Sequence, residues 1–123
     1  MVYETLKQAR RFLDENHPAA AAKYARTACE LTLRRYCARH SVKFGYTDDP
    51  QKIKMDTLLQ QGKAHAANND ARKAAFVGIE SHKKLILNPL SHNPTQPIVK
   101  ADVEAAIAAV EALVLACKKE ADL

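Results

Sequence analysis

The 123-residue chain contains no tryptophan, three glycines, two methionines and three cysteines. With so little glycine and few β-branched runs, it lacks the punctuation and the residue types of a many-stranded sheet. No run of roughly 18 apolar residues is present, so no segment reads as a membrane-crossing helix. The opening Met1-Val2-Tyr3-Glu4-Thr5 has no signal-peptide core, and a cytoplasmic location is the expectation. The odd set Cys29, Cys37 and Cys117 lies within helical patterns. It reads as small apolar residues in a reducing compartment, not as a disulfide framework. There is no glycine-rich phosphate loop, no defensible helix-turn-helix pattern and no carboxylate pair, and no cofactor is expected.

What the chain does have is helix-forming composition and a basic balance. Hydrophobic residues reach 47%, much of it alanine, the best helix former and a poor core filler. Lysine and arginine outnumber the acids 19 to 14, and the net charge of +5 favours anionic partners, RNA included. The length suits one domain spanning 1–123.

Hydrophobic period divides the chain into helices. Val2, Leu6, Ala9 and Leu13 share one face of a helix predicted over Val2 to Glu15. Asn16-His17-Pro18 breaks it, with Asn16 or His17 as a cap and Pro18 suited to the next first turn. The second helix is expected from Pro18 to about Val42 and carries two stripes, Ala21/Tyr24/Ala28/Leu31 and Ala22/Ala25/Cys29/Thr32/Tyr36. Two adjacent stripes make a wide buried face and a central position. Its polar side holds Lys23, Arg26, Glu30 and Arg34, with i,i+4 pairing through Glu30. Lys43 to Lys52 reads as a loop, and Asp49-Pro50 as the start of a third helix running to about Ala67, with Met55, Leu58, Leu59 and Gly62 inward. After a turn and cap at Asn68-Asn69-Asp70, a fourth helix is expected from Ala71 to about Leu87, with Ala75, Ile79, His82 and Ile86 on one face. The proline-rich stretch Asn88 to Val99 cannot be one regular helix. A last helix starts near Lys100, with Val103, Ile107, Val110, Val114 and Cys117 as an apolar seam. The expected architecture is all-α, an up-and-down bundle of four to five helices.

Asn88-Pro89-Leu90-Ser91-His92 is the foremost candidate site. In a capped turn the Asn88 and His92 side chains, four apart, meet, and an imidazole held by an amide near Lys83 and Lys84 suits acid–base work near neutral pH. The plainer account is that Asn88 and Ser91 cap backbone groups while His92 is structural. Arg35 and His40 form a second candidate, an arginine to clamp a phosphate and a histidine to move its proton. A basic helix end favoured by the dipole explains them equally. Cys37 and His40 have half the ligands of a zinc site and no second pair. His82 reads as a core histidine, and His65 and His17 carry no partner pattern.

The segment Ala21 to Cys37 resembles the central helix of HEPN domains, and Leu87-Asn88-Pro89-Leu90-Ser91-His92 sits where these domains carry their signature. The family comprises helical bundles that commonly pair as dimers. Many are metal-independent ribonucleases of toxin–antitoxin, abortive-infection and CRISPR systems; others bind nucleotides or partners. Its signature is an arginine, often followed by a polar residue, and a histidine after four to six intervening residues. Asn88 and His92 match the polar residue and the histidine, while Leu87 stands at the arginine's place. The resemblance implies that His92 from two subunits removes the 2′-hydroxyl proton and supports the leaving 5′-oxygen, with Asn88 beside it. The products would be a cyclic phosphate and a 5′-hydroxyl. Lys83 or Lys84, with Ser91, would contact the phosphate, lysine serving as a point charge without arginine's bidentate fork. Glu30 would orient Arg34 or a site lysine. The expected function is thus an RNA-targeting, homodimeric endoribonuclease of a phage-defence or toxin system, with an antitoxin or ATPase partner. The alternative is a non-catalytic dimerisation or partner-binding domain, the C-terminal piece of a larger defence ATPase.

Overall fold

The structure, a computed structural model, describes residues 2–42, 54–66, 70–82 and 98–118. Among these residues there are five helices and no strand: α1 (Val2–Asp14), α2 (Pro18–Arg39), α3 (Met55–His65), α4 (Asp70–Glu80) and α5 (Lys100–Ala116). No described helix is long and apolar enough to cross a membrane. The all-α bundle read from the period is the observed fold.

The α2 helix is the hub, packing on α1, α3 and α5, while α5 also meets α1 and α4. Small side chains make this closeness feasible. Ala21, Ala22, Ala25, Ala28 and Cys29 are buried along α2, and Thr32, the buried polar residue among them, returns its hydroxyl to the Ala28 carbonyl at 2.8 Å. Lower on α2, larger groups take over, with Leu33, Tyr36 and Cys37 fully buried. Two stripe positions behave otherwise than the period suggests. Tyr24 is 37% exposed and stacks on Phe12 with ring centroids 5.3 Å apart, and Leu31 is only partly buried. The apolar face of α2 therefore swings toward Leu33, which neither stripe contained.

On α1, the four expected residues Val2, Leu6, Ala9 and Leu13 are all buried. On α5, Val103, Ile107, Val110, Val114 and Cys117 are buried together with Ala106 and Leu113. Each additional buried CH2 stabilises by about 0.8 kcal/mol, so this wide apolar face is a large part of the core's favourable energy.

Both α1 and α2 end in backbone motifs that leave little trace in residue type. Asn16 adopts φ 64°, His17 N–H reaches the Phe12 carbonyl at 2.7 Å, and Asn16 N–H reaches Leu13 at 3.0 Å. Ser41 adopts φ 52°, with Val42 N–H on Cys37 at 3.0 Å and Ser41 N–H on Ala38 at 3.3 Å. These paired bonds satisfy the last carbonyls of each helix through a left-handed residue, a role most often given to glycine. The α2 helix consequently stops at Arg39 rather than Val42, which folds back and is buried. Asn16 closes α1; His17 precedes α2 with no side-chain capping bond, and Pro18 occupies the first turn as expected.

Helices α3 and α4 are shorter than their periods suggested. Lys54 is extended at ψ 147°, so α3 begins at Met55 and ends at His65, with Met55, Leu58, Leu59 and Gly62 buried as expected. Asp49 and Pro50, the expected start, lie outside the described residues. The α4 helix ends at Glu80 instead of Leu87. Ser81 and His82 form a turn in which His82 N–H bonds the Ile79 carbonyl at 3.0 Å. His82 is accordingly half-buried at a helix end, not a core residue; Ile86 lies outside the described residues. Phe76, between the expected positions Ala75 and Ile79, is fully buried and anchors α4 to α3. A methyl group on Gly62 would lie 2.8 Å from the Phe76 ring, so glycine at this position is what lets the two helices approach. Glu80 completes the tie, accepting from Lys63 at 2.6 Å and Gln60 at 3.0 Å.

Candidate functional site

The residues assigned to chemistry by the signature, Asn88 and His92, and their neighbours Lys83, Lys84, Leu87 and Ser91, lie outside the described residues. Of the remaining site residues, Glu30 and Arg34 are brought together. Arg34 donates from Nε at 3.2 Å and from Nη2 at 2.7 Å to Glu30 Oε1, and Arg26 approaches the same carboxylate at 4.0 Å. Glu30 therefore serves as the acid that orients two arginines on one side of α2.

The densest gathering of titratable groups lies where α2, α3 and α4 meet. Tyr36 is fully buried, and its hydroxyl lies 2.8 Å from Nδ1 of His65, the last residue of α3. The Arg72 side chain, from the first turns of α4, also hydrogen-bonds Tyr36. A guanidinium only donates, so toward Arg72 the phenol oxygen accepts, while its role toward His65 Nδ1 follows the imidazole tautomer. His40 closes the group, its ring 4.5 Å from Tyr36 and 4.7 Å from His65, while Phe76 packs on the other side of Tyr36 at 5.2 Å. The Nε2 of His40 is shielded from solvent and has no hydrogen-bond partner.

Electrostatics at this corner run one way. Burial holds the His40 imidazole below its ordinary value, and His65, Arg72 and Arg39 push in the same direction. Burial raises Tyr36, keeping the phenol protonated, with Arg72 opposing. Arg35 is not among the groups that shift His40.

His65 was given no partner by the sequence, and the correction is its bond to Tyr36, 29 residues away. Arg72 was missed for a similar reason: it lies on α4 outside the apolar period and acquires meaning only through α2. Cys37, the other half of the zinc idea, points into the core with its thiol 3.8 Å from the Leu58 carbonyl, and burial pushes its pKa up to about 12. A thiol so protonated is a poor metal ligand. Among the described residues no group of three or more His, Cys, Asp or Glu could hold a metal ion.

A different surface opens between α1 and α5. A groove of about 660 Å³ is lined by Tyr3, Leu6, Lys7, Val114 and Leu115 and bounded by Arg10 and Glu111. Tyr3 is 47% and Leu115 72% exposed, whereas Leu113, two residues earlier, is fully buried in the chain's own core. No family model, no curated protein and no solved structure matches the chain.

Proposed function

We propose that the chain is a HEPN-like RNA-targeting domain acting as a metal-independent endoribonuclease of a phage-defence or toxin system. One observation supports the reading: α2, the segment that carries the resemblance, is the hub of the bundle, and the chain bearing Asn88 and His92 leads directly into α5, which packs on that hub. In this reading His92 transfers the proton, Asn88 holds the imidazole, and Lys83, Lys84 and Ser91 meet the phosphate. Arg34, held by Glu30, adds positive charge. Attack by the 2′-hydroxyl restricts the chemistry to RNA. Incubation with structured and unstructured RNA in chelator is the test. Wild type is expected to leave cyclic-phosphate ends, and His92→Ala to lose about 10²–10⁴ in rate with helix content unchanged. Absence of cleavage by both wild type and Leu87→Arg overturns the nuclease.

The groove between α1 and α5 favours a second reading, a non-catalytic domain that dimerises or binds a partner such as an antitoxin or a defence ATPase. Exposed Tyr3 and Leu115 over an apolar floor are what such a contact uses. Light scattering that reports a dimer, together with inert RNA assays, would select it.

A further inference from the structure

We propose that the packed pair His40–His65 is an acid-sensitive latch between α2 and α3, closed while both imidazoles are neutral and released when the corner takes up a proton. His40 caps the end of α2, and His65 is the last residue of α3. Their ring centroids are 4.7 Å apart, and the Tyr36 ring lies 4.5 Å from His40 and 5.6 Å from His65. Tyr36, fully buried, ties the same two helices through the 2.8 Å contact of its hydroxyl with His65 Nδ1.

A proton is badly placed here for a geometric reason. Nε2 of His40 is shielded from solvent and has no hydrogen-bond partner. A neutral imidazole leaves that atom bare in either tautomer. The cation always carries an N–H there, so a charged donor would be buried without an acceptor. Charging His65 instead, which is exposed, sets a positive ring against its neighbour. The groups that act on His40 are Arg39 on its own helix, His65 on α3 and Arg72 on α4, and each makes a proton on it less favourable. From α5, Cys117 acts on Tyr36 and is itself kept neutral by burial. Release from α2 leaves α3 tied to α4, by Lys63 and Gln60 on Glu80 and by Gly62 against Phe76. Because α3 packs chiefly on α2 and α4, it can part from α2 without dismantling the α1–α2–α5 core. The latch asks nothing of His92 and stands whether or not the chain cuts RNA.

Amide hydrogen exchange, resolved by segment, is measured on the full chain from about pH 7.5 to about pH 5 and expressed as protection relative to the unfolded chain, which removes the intrinsic pH dependence of exchange. Protection over Met55–His65 is expected to fall by up to about tenfold per pH unit below about 6.5, the slope of one proton, and then to level off, while α1 and α5 change less. Return to neutral pH restores it. His40→Gln and His40→Phe both remove the titrating ring, and the phenyl group keeps a ring in the stack. In both, the pH step over α3 is expected to vanish, and in His40→Phe the neutral-pH protection stays near that of the wild type. Arg10→Ala, at the α1–α5 tie, is expected to keep the step. Protection of α3 that does not change with pH overturns the latch. So does an equal loss over α1, α3 and α5, or a step that survives His40→Phe.

Discussion

Two charged regions of this bundle are built on opposite plans. Between α1 and α5, Arg10 meets an acid, donating from Nη2 at 2.6 Å and Nε at 3.3 Å to Glu111, with Glu104 at 4.0 Å. At the α2–α3–α4 corner, His40 lies against the Tyr36 and His65 rings, and the rings supply the cohesion. The first arrangement is neutralised within the chain and ties two helices. The second is held by stacked rings and by the contact between the Tyr36 hydroxyl and His65. The two regions therefore differ in what ties their helices, an ion pair in one and ring packing in the other.

The comparison is broken most severely through Gly62. Gly62→Ala places a methyl group 2.8 Å from Phe76, which supports Tyr36, so the corner must shift as a unit. The expected cost is about 1–3 kcal/mol, read in chemical denaturation, with the His65 ring signals displaced. A next, smaller effect has the opposite sign. Gly78, on α4, has nothing within 4 Å of an added Cβ, and Gly78→Ala is expected to stabilise by about 0.5–1 kcal/mol, because a helical glycine is entropically costly. If both replacements behave alike, close packing is not what distinguishes the corner.

Arg10→Ala tests the matched side. The pair is partly exposed, with side chains 37% and 41% accessible, so solvent screening limits the loss to about 0.2–1 kcal/mol, and added salt is expected to shrink it further. A loss above that range would make the α1–α5 tie more than a surface pair. The smallest effect is in pH. His40 binds its proton less readily folded than unfolded, so below its ordinary value of 6.5 the unfolded chain carries the extra proton. Stability is therefore expected to fall as pH drops from about 6.5 toward the depressed folded value and to level off below it. In His40→Gln this slope flattens in melting curves; in Arg10→Ala it persists.

Legibility followed the same divide. The α1 and α5 faces were readable because a helix buries residues at three- and four-residue steps, and Val103 through Cys117 keep that step without interruption. The period said less where helices end. Asn16 and Ser41 stop α1 and α2 through left-handed turns that glycine more often signals, and Lys54 delays α3 by several residues. On α4, choosing Ala75, Ile79 and His82 as the inward row passed over Phe76, one position away, which proved the largest buried side chain of that helix. Of the expected site residues that are described, Glu30 and Arg34 are in contact, an i,i+4 relation local enough to read from spacing. The Tyr36–His65 bond joins residues 29 apart, and no local pattern encodes such a meeting.

The buried thiols have a practical consequence. Cys29, Cys37 and Cys117 are all free and buried, and burial raises each, Cys37 to about 12 and Cys117 to about 11. Little thiolate exists in the folded state, so alkylating reagents must wait for the core to open. Cys29 and Cys37 lie on the hub helix and Cys117 at the end of α5, so their labelling rates clock how often α2 and α5 part. A reagent added in excess to native protein would therefore record breathing of the bundle in real time. Three equal rates mean that the core opens as one body; a faster Cys117 means that α5 frays from its end first.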